Sequence, residues 1–310
     1  MLKNPIKILF LAALSLGFVF TSASARAADV SASFQYLPDK AIAVAGVHGD
    51  KVRHSSLYKT FLRLVTQRRE VERGLAEFER ATGFDATKDV RSLVLGVADS
   101  FTSNSDNFVL VADAKLDEAK VLAFMRKKGA QFKTLRTRTG VHHLLGRKQD
   151  GFLAFRGRHI ILGGVEQLGV LAGAGHRGMT ARRGPQRSMS RALVRLKKRP
   201  LFLVVEPNAA LKKRLAHTHE DFGKLTTFSV GLDVTGGAKL DMAARFASAA
   251  SAANIHDLAT GALKRVSNSR QSKRMGFAAI VKSVRLSKHG PTLRGSLRLT
   301  QKQLDNLLGL

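Results

Sequence analysis

Four pattern elements recur along this chain at a nearly constant distance, and that regularity constrains the fold more than any single motif. Arg91 at the head of one β-rich run answers Thr227, and Asp117 at the head of a helical run answers Ala252. His142 answers Phe277, and Glu166 answers Gln301, so every offset is 135 or 136 residues. A long internal period of this kind signals a repeated supersecondary unit. The N-terminal half reads as a strand over 41–47, a helix over 55–80, and strands over 91–98 and 107–113. A helix over 117–128, strands over 141–145 and 152–162 and a short helix over 166–172 complete it. The C-terminal half repeats the order, with a strand over 201–205, a helix over 209–216, and strands over 227–234 and 239–246 around Gly236-Gly237. A helix over 251–265, strands over 277–286 and 292–299 around His289-Gly290-Pro291, and a helix over 301–308 close it.

The expectation is therefore an α+β chain of two tandem β-α-β-β-α-β-β-α units, with mainly antiparallel sheets and helices packed on one side. The alternative is one larger sheet fusing both units. Unit one spans 28–172, a basic Gly/Arg-rich linker 173–199, and unit two 200–310. Ser55 or Ser56 is placed to cap the long helix, whose first-turn N–H groups need an acceptor. Leu57, Phe61 and Val65, then Leu75 and Phe78, recur at helical spacing and should face the sheet. Gly83 can take the left-handed conformation that ends the helix, with Phe84 folding back in a Schellman turn. Asp117 stands where negative charge suits a helix start.

Leu37-Pro38-Asp39-Lys40-Ala41 and Thr82-Gly83-Phe84-Asp85-Ala86-Thr87-Lys88-Asp89-Val90 resemble elements of exported bacterial proteins of unknown function. The resemblance covers the first third of the chain. It implies export and an α+β unit, and no activity.

Residues 1–27 read as a secretory signal peptide. Lys3 and Lys7 precede the apolar run Ile8–Phe20, and two A-x-A sites follow at Ala23-Ser24-Ala25 and Ala25-Arg26-Ala27. A periplasmic or secreted location is expected. The chain has no cysteine, so disulfides, Cys-ligated metal, thiol catalysis and lipid-modified cysteine are excluded. A chain this long can bury enough surface to fold without covalent staples.

Catalytic and cofactor signals do not assemble. Gly173-Ala174-Gly175-His176-Arg177-Gly178 spells G-x-G-x-x-G, but it follows a helical segment and runs into Arg182-Arg183-Gly184-Pro185 instead of opening a helix after a strand. His142 and His143 are neighbours on a strand and point to opposite faces, so they cannot share an ion. His217-x-His219 ends a helix and could chelate only if that helix has unwound. There is no G-x-S-x-G and no acid–base pair above background. No catalytic, cofactor or metal residue is assigned, and no cofactor is expected.

Charge is the unusual feature. Lys and Arg number 52 against 23 Asp and Glu, an excess that points to polyanionic partners. The linker carries no acid at all, and none occurs between Gln167 and Val205. Arg187, Arg191, Arg195 and Arg199 are spaced by four, so a helix would line them up as one slowly drifting stripe. Met189, Ala192, Leu193 and Leu196 fall to other sides, giving a short amphipathic segment that Pro200 ends. Arg182, Arg183, Arg187, Arg191, Arg195, Lys197, Lys198 and Arg199 are the candidate contacts for an anionic surface. Its chemistry would be anionic lipid, lipopolysaccharide or acidic polysaccharide. Nucleic acid is the weaker partner, because there is no Trp and Tyr occurs only twice, which leaves few stacking platforms. The expected function is a non-catalytic periplasmic binding or scaffold protein with a basic surface. The alternative is a periplasmic hydrolase whose site lies in the inter-unit cleft.

Overall fold

The structure, a computed structural model, describes residues 30–38, 40–67, 69–98, 107–137, 140–168, 187–270, 272 and 277–308. The segment read as a signal peptide, the G-x-G-x-x-G run, Arg182 and Arg183 all lie outside these residues. The chain divides into two compact units, Met1–Arg183 and Gly184–Leu310. The division falls inside the segment read as a linker. Both units are α+β, and every strand pair within them is antiparallel.

The first unit opens with α1 (Ser31–Phe34), β1 (Ala41–His48) and α2 (Gly49–Val52), then α3 (Ser56–Thr66), α4 (Arg69–Thr82) and α5 (Ala86–Asp89). It continues with β2 (Val90–Ala98), β3 (Phe108–Ala114), α6 (Glu118–Lys127), β4 (Phe132–Thr137) and β5 (Gly140–Leu145). The hairpin β6 (Gly151–Arg156) and β7 (His159–Gly164) follows, and a 3-10 turn, Val165–Gln167, ends the described part. The strand order is β1-β2-β3-β7-β6-β5-β4.

Several expectations are corrected here. The helix expected over 55–80 is two helices. The first helix ends at Thr66 and the second starts at Arg69, with the break at the head of the polar run Gln67-Arg68-Arg69-Glu70. The side chains of Phe61 and Val65 lie outside the described residues. The single run 152–162 is the hairpin β6–β7, turning at Gly157-Arg158, and β4 is an additional strand. The 166–172 helix is represented by the 3-10 turn and Leu168, the rest lying outside the described residues.

Local chemistry accounts for the ends of these elements. Ser55 Oγ accepts from Tyr58 N at 3.2 Å, capping α3. Gly83 has φ +72°, and its N–H donates to Glu79 O at 2.7 Å. That bond makes the cap a simple left-handed motif rather than a Schellman turn. Phe84 is buried and meets the Phe78 ring edge-on at 6.0 Å. Asp85 accepts from Thr87 N at 2.7 Å, and Asp89 Oδ2 accepts from Asp85 N at 2.8 Å, so the TGFD segment is a two-way turn.

The apolar sides of α4 and α6 cover one sheet face. Phe78, Val121, Leu122 and Met125 pack on Leu145, Leu153, Phe155, Ile160 and Leu162. The opposite face is covered as well. Leu37 and Pro38 press onto it at Gly96, where a Cβ would stand 3.0 Å from Pro38 Cδ, and the Tyr36 ring lies 5.1 Å from His159. Covering elements on both sides replace the one-sided packing expected from sequence. Two-sided burial also explains the nearly continuous apolar run of β1.

The second unit comprises α7 (Arg187–Leu196), β8 (Leu201–Val205), α8 (Ala209–Thr218) and a 3-10 turn over Glu220–Lys224. β9 (Leu225–Asp233), β10 (Ala238–Phe246), α9 (Ala249–Asn268), α10 (Phe277–Lys282), β11 (Arg285–His289), β12 (Thr292–Leu299) and α11 (Gln301–Leu308) follow. The strand order is β8-β9-β10-β12-β11. The strand expected over 277–286 begins as helix α10, and only Arg285 onward is extended. His142 on a strand therefore does not answer Phe277. Phe277-Ala-Ala-Ile-Val is apolar on every side, a composition that suits either state and leaves the decision to tertiary packing. Phe246, Ala252, Ile255 and Leu293 form a core between α9 and one sheet face, while α7 packs on β8 and β9.

Candidate anionic-surface interface

The basic segment is a helix seated on unit two. Met189, Ala192 and Leu193 of α7 are 0%, 1% and 2% exposed, and Phe202 and Val204 of β8 are buried with them. The close approach depends on Gly231 of β9. A Cβ there would stand 2.8 Å from Leu196 Cδ2 and 3.0 Å from Arg199 Cγ, so any other residue would require those side chains to shift. The apolar side of the amphipathic segment is thus consumed inside the unit.

The eight candidate residues separate into groups. Arg191, Arg195 and Lys198 are exposed, with Val194, 66% exposed, between them. Spacings of three and four place all four on one outward face. Lys197 is half-buried. Arg199 has left the expected stripe, and its Nη2 donates to Asp241 Oδ2 of β10 at 2.5 Å. Arg199 lies past the end of α7 at Leu196, in a turn where its N–H donates to Leu196 O at 2.7 Å, so the helical stripe does not extend to it. The side chain of Arg187 lies outside the described residues, as do Arg182 and Arg183.

The sheet adds basic residues that the sequence reading did not select. Asp241 lies opposite Gly231 on one side and Ser296 on the other. The side chains sharing its face therefore share the face on which α7 sits. Beyond α7, that face carries Arg245 of β10, Arg294 and Arg298 of β12, and Arg285 of β11, all exposed. Among the described residues none of the four forms an ion pair. The acids on this face are engaged: Asp241 is bonded by Arg199 and lies 4.0 Å from Lys239, and Asp233 accepts from Thr235 N at 3.0 Å. Burial works to raise the Asp233 carboxyl, but the Thr235 hydrogen bonds hold it below its ordinary value. The signal for these arginines was present in Thr292-Leu-Arg-Gly-Ser-Leu-Arg-Leu299, where leucine and polar residues alternate. What was missing was which strands adjoin and which face a helix leaves open.

The histidines go to separate structural roles. His142 and His143 are both buried, on opposite faces. Arg156 Nη2 donates to His142 Nε2 at 3.1 Å. Burial, the adjacent guanidinium and His143 push the His142 pKa from 6.5 down to about 4, so the ring is neutral with its proton on Nδ1. His143 lies 3.0 Å from Glu118 Oε1 through Nε2 and 3.3 Å from Thr134 Oγ1 through Nδ1. The order resembles a hydroxyl–imidazole–carboxylate relay. Thr134, however, is simply the cross-strand neighbour of His143, and Glu118 comes from the start of α6, so the contact ties β4 and β5 to that helix. His219 has left the helix, with φ −163°, and its Nδ1 accepts from Asp221 N at 3.2 Å. Asp221 accepts from Asn254 Nδ2 at 2.9 Å and from Lys224 at 3.2 Å. The Asn254 and Ser251 hydrogen bonds hold its carboxyl down at about 2. Among the described residues no cluster of three or more His, Asp or Glu is placed to hold a metal, and no helix is long and apolar enough to cross a membrane.

Among solved structures the chain is similar to TP0453, a Treponema pallidum protein, in two crystal forms. Form III has a TM-score of 0.46 at 9% identity, covering 89% of this chain and 98% of that one. Form I has a TM-score of 0.42 at 8% identity, covering 89% and 96%. A likeness of this size carries no functional argument. No family model and no curated protein matches the chain.

Proposed function

We propose that this chain is an exported, non-catalytic binding or scaffold protein that presents a basic surface of unit two to an anionic component of the cell envelope. The observation carrying this reading is the outward face of α7, where Arg191, Arg195 and Lys198 are exposed while Met189, Ala192 and Leu193 are buried. With its apolar side already used, the helix offers charge rather than insertion. Each basic residue held near anionic headgroups contributes about 1 kcal/mol, so the three together are worth roughly a hundredfold in affinity. Salt should weaken the contact steeply, since the charges are solvent-exposed.

The test is binding of the full mature chain to phosphatidylglycerol vesicles and to phosphatidylcholine vesicles, comparing wild type with R191Q/R195Q/K198Q. A preference for the anionic vesicles that falls about a hundredfold in the variant supports the reading. Equal binding to both vesicle types by wild type overturns it. Export is read from residues 1–27, and a periplasmic protein beginning at Arg26 or Ala28 by mass spectrometry is expected; an intact Met1 would contradict it.

We also infer that the two units share one ancestral plan. Supporting this is the order β8-β9-β10-β12-β11, which repeats β1-β2-β3-β7-β6, with α9 entering after the third strand as α6 does. On this reading β4 and β5 are an insertion in the first unit.

A further inference from the structure

We infer that the open face formed by β10, β12 and β11 is a docking surface for the phosphate groups of an anionic lipid bilayer. The inference rests on the reading just proposed and gives its surface a second, larger part and a ligand chemistry.

The face pairs each of three arginines with a hydroxyl on the neighbouring strand. Arg245 stands opposite Thr292, Arg294 opposite Ser287, and Arg285 opposite Ser296. Directly opposite residues in an antiparallel ladder have Cβ atoms about 5 Å apart, so a guanidinium fork and a hydroxyl donor converge on the same small volume. Forked N–H donors with an adjacent O–H suit a phosphate oxyanion, which offers several acceptor oxygens at once. The same two-strand pairing occurs three times across the face, which suits an array of headgroups more than one bound ion.

Electrostatics within the ladder point the same way. Lys239 stands directly opposite Arg298, a like-charge pair that weakens a sheet. Asp241 cannot relieve the whole face, because Arg199 and Lys239 already hold it. An anionic layer over the face would remove that repulsion.

A bilayer fits better than a polymer. Among the described residues the other side chains on the open face are small or polar, with Ala243, the hydroxyl residues and His289 among them and no Phe, Tyr or Trp. Sugar rings and nucleobases are usually held by stacking on several aromatic faces, and the imidazole of His289 at the end of β11 is a single small ring. The outward residues of α7 border the same side of the sheet. The basic area is therefore broad in two directions, as a planar surface requires.

The experiment uses the full mature chain with three readouts. Phosphatidylglycerol and phosphatidylcholine vesicles are titrated with wild type, with R245Q/R285Q/R294Q/R298Q, and with the α7 triple variant. All these side chains are exposed, and thermal unfolding at or above the wild-type temperature confirms that each variant is folded. The sheet variant is expected to lose a hundredfold or more in affinity for the anionic vesicles. If it binds as wild type while the α7 variant does not, the sheet inference is overturned and the proposed function stands. If wild type shows no anionic preference, both fail. Dextran sulfate serves as a soluble polyanion. A sheet variant that loses dextran sulfate but keeps its vesicle binding overturns the lipid assignment. Because the chain has no cysteine, His289→Cys, at the exposed end of β11 on the same face, and Val266→Cys can each carry one fluorophore. Val266 is exposed on α9, which packs on the other sheet face. Headgroup-attached quenchers should quench the label at position 289 and spare that at 266, and equal quenching at both sites would also overturn the inference.

Discussion

Truncating Leu193 to alanine separates two uses of the apolar side of α7. Leu193 is 2% exposed, beside Met189 and Ala192, on a helix that packs against β8 and β9. Removing a buried leucine side chain to alanine costs about 2–5 kcal/mol, because transfer energy is lost and a cavity is left. The sheet beneath cannot collapse freely to fill it, since the buried Val204 and Phe202 are tied into the ladder with β9. We therefore place the loss near 3 kcal/mol. In a unit of this size that lowers the midpoint of thermal unfolding by about 10 °C. Val194, one residue along and 66% exposed, should change stability by no more than about 0.5 kcal/mol when made alanine. Urea titrations of unit-two unfolding, followed by circular dichroism, give both numbers, and the slope should stay constant. Binding of Leu193→Ala to anionic vesicles, measured well below its midpoint, should match wild type. A stability loss under about 1 kcal/mol, or normal stability with lost vesicle binding, would show that Leu193 faces a membrane rather than the sheet.

Two further outcomes are expected. His142 is buried with its folded pKa, about 4, below the ordinary 6.5, so the unfolded state binds the extra proton first. Its contribution is complete above pH 6.5 and is lost as pH falls towards 4, by about 3 kcal/mol at most; His142→Phe should flatten stability over that interval, and an assigned His142 resonance titrating near 6.5 would contradict the assignment. Gly231→Val should push Leu196 and Arg199 off β9 and cost about 1–3 kcal/mol through overpacking, whereas an unchanged melting temperature would mean α7 does not sit on that strand.

Where elements end was written locally and could be read. Ser55, Gly83, Asp85 and Asp117 act through neighbours within four residues, so their hydrogen bonds follow from residue type and spacing. The opposite orientations of His142 and His143 follow equally from the two-residue period of a strand. Short apolar runs were less legible. Phe277–Val281 carries no period that distinguishes a helix from a strand, and its neighbours in space decided. The hairpin within 152–162 was legible in its Arg156-Gly157-Arg158 turn, which the single-strand expectation spanned.

The candidate surface divides the same way. Sequence alone determined the excess of Lys and Arg, the absence of acids from Gln167 to Val205, and the helical spacing of Arg187, Arg191, Arg195 and Arg199. Only the tertiary structure decided that Arg199 turns inward to Asp241, that Met189 and Leu193 are spent on β8 and β9, and that Arg245, Arg285, Arg294 and Arg298 share one uncovered face. Helix spacing is a property of contiguous residues, but a sheet face is assembled from strands distant in sequence. Its register and its covering are set by long-range packing, and no local pattern encodes them.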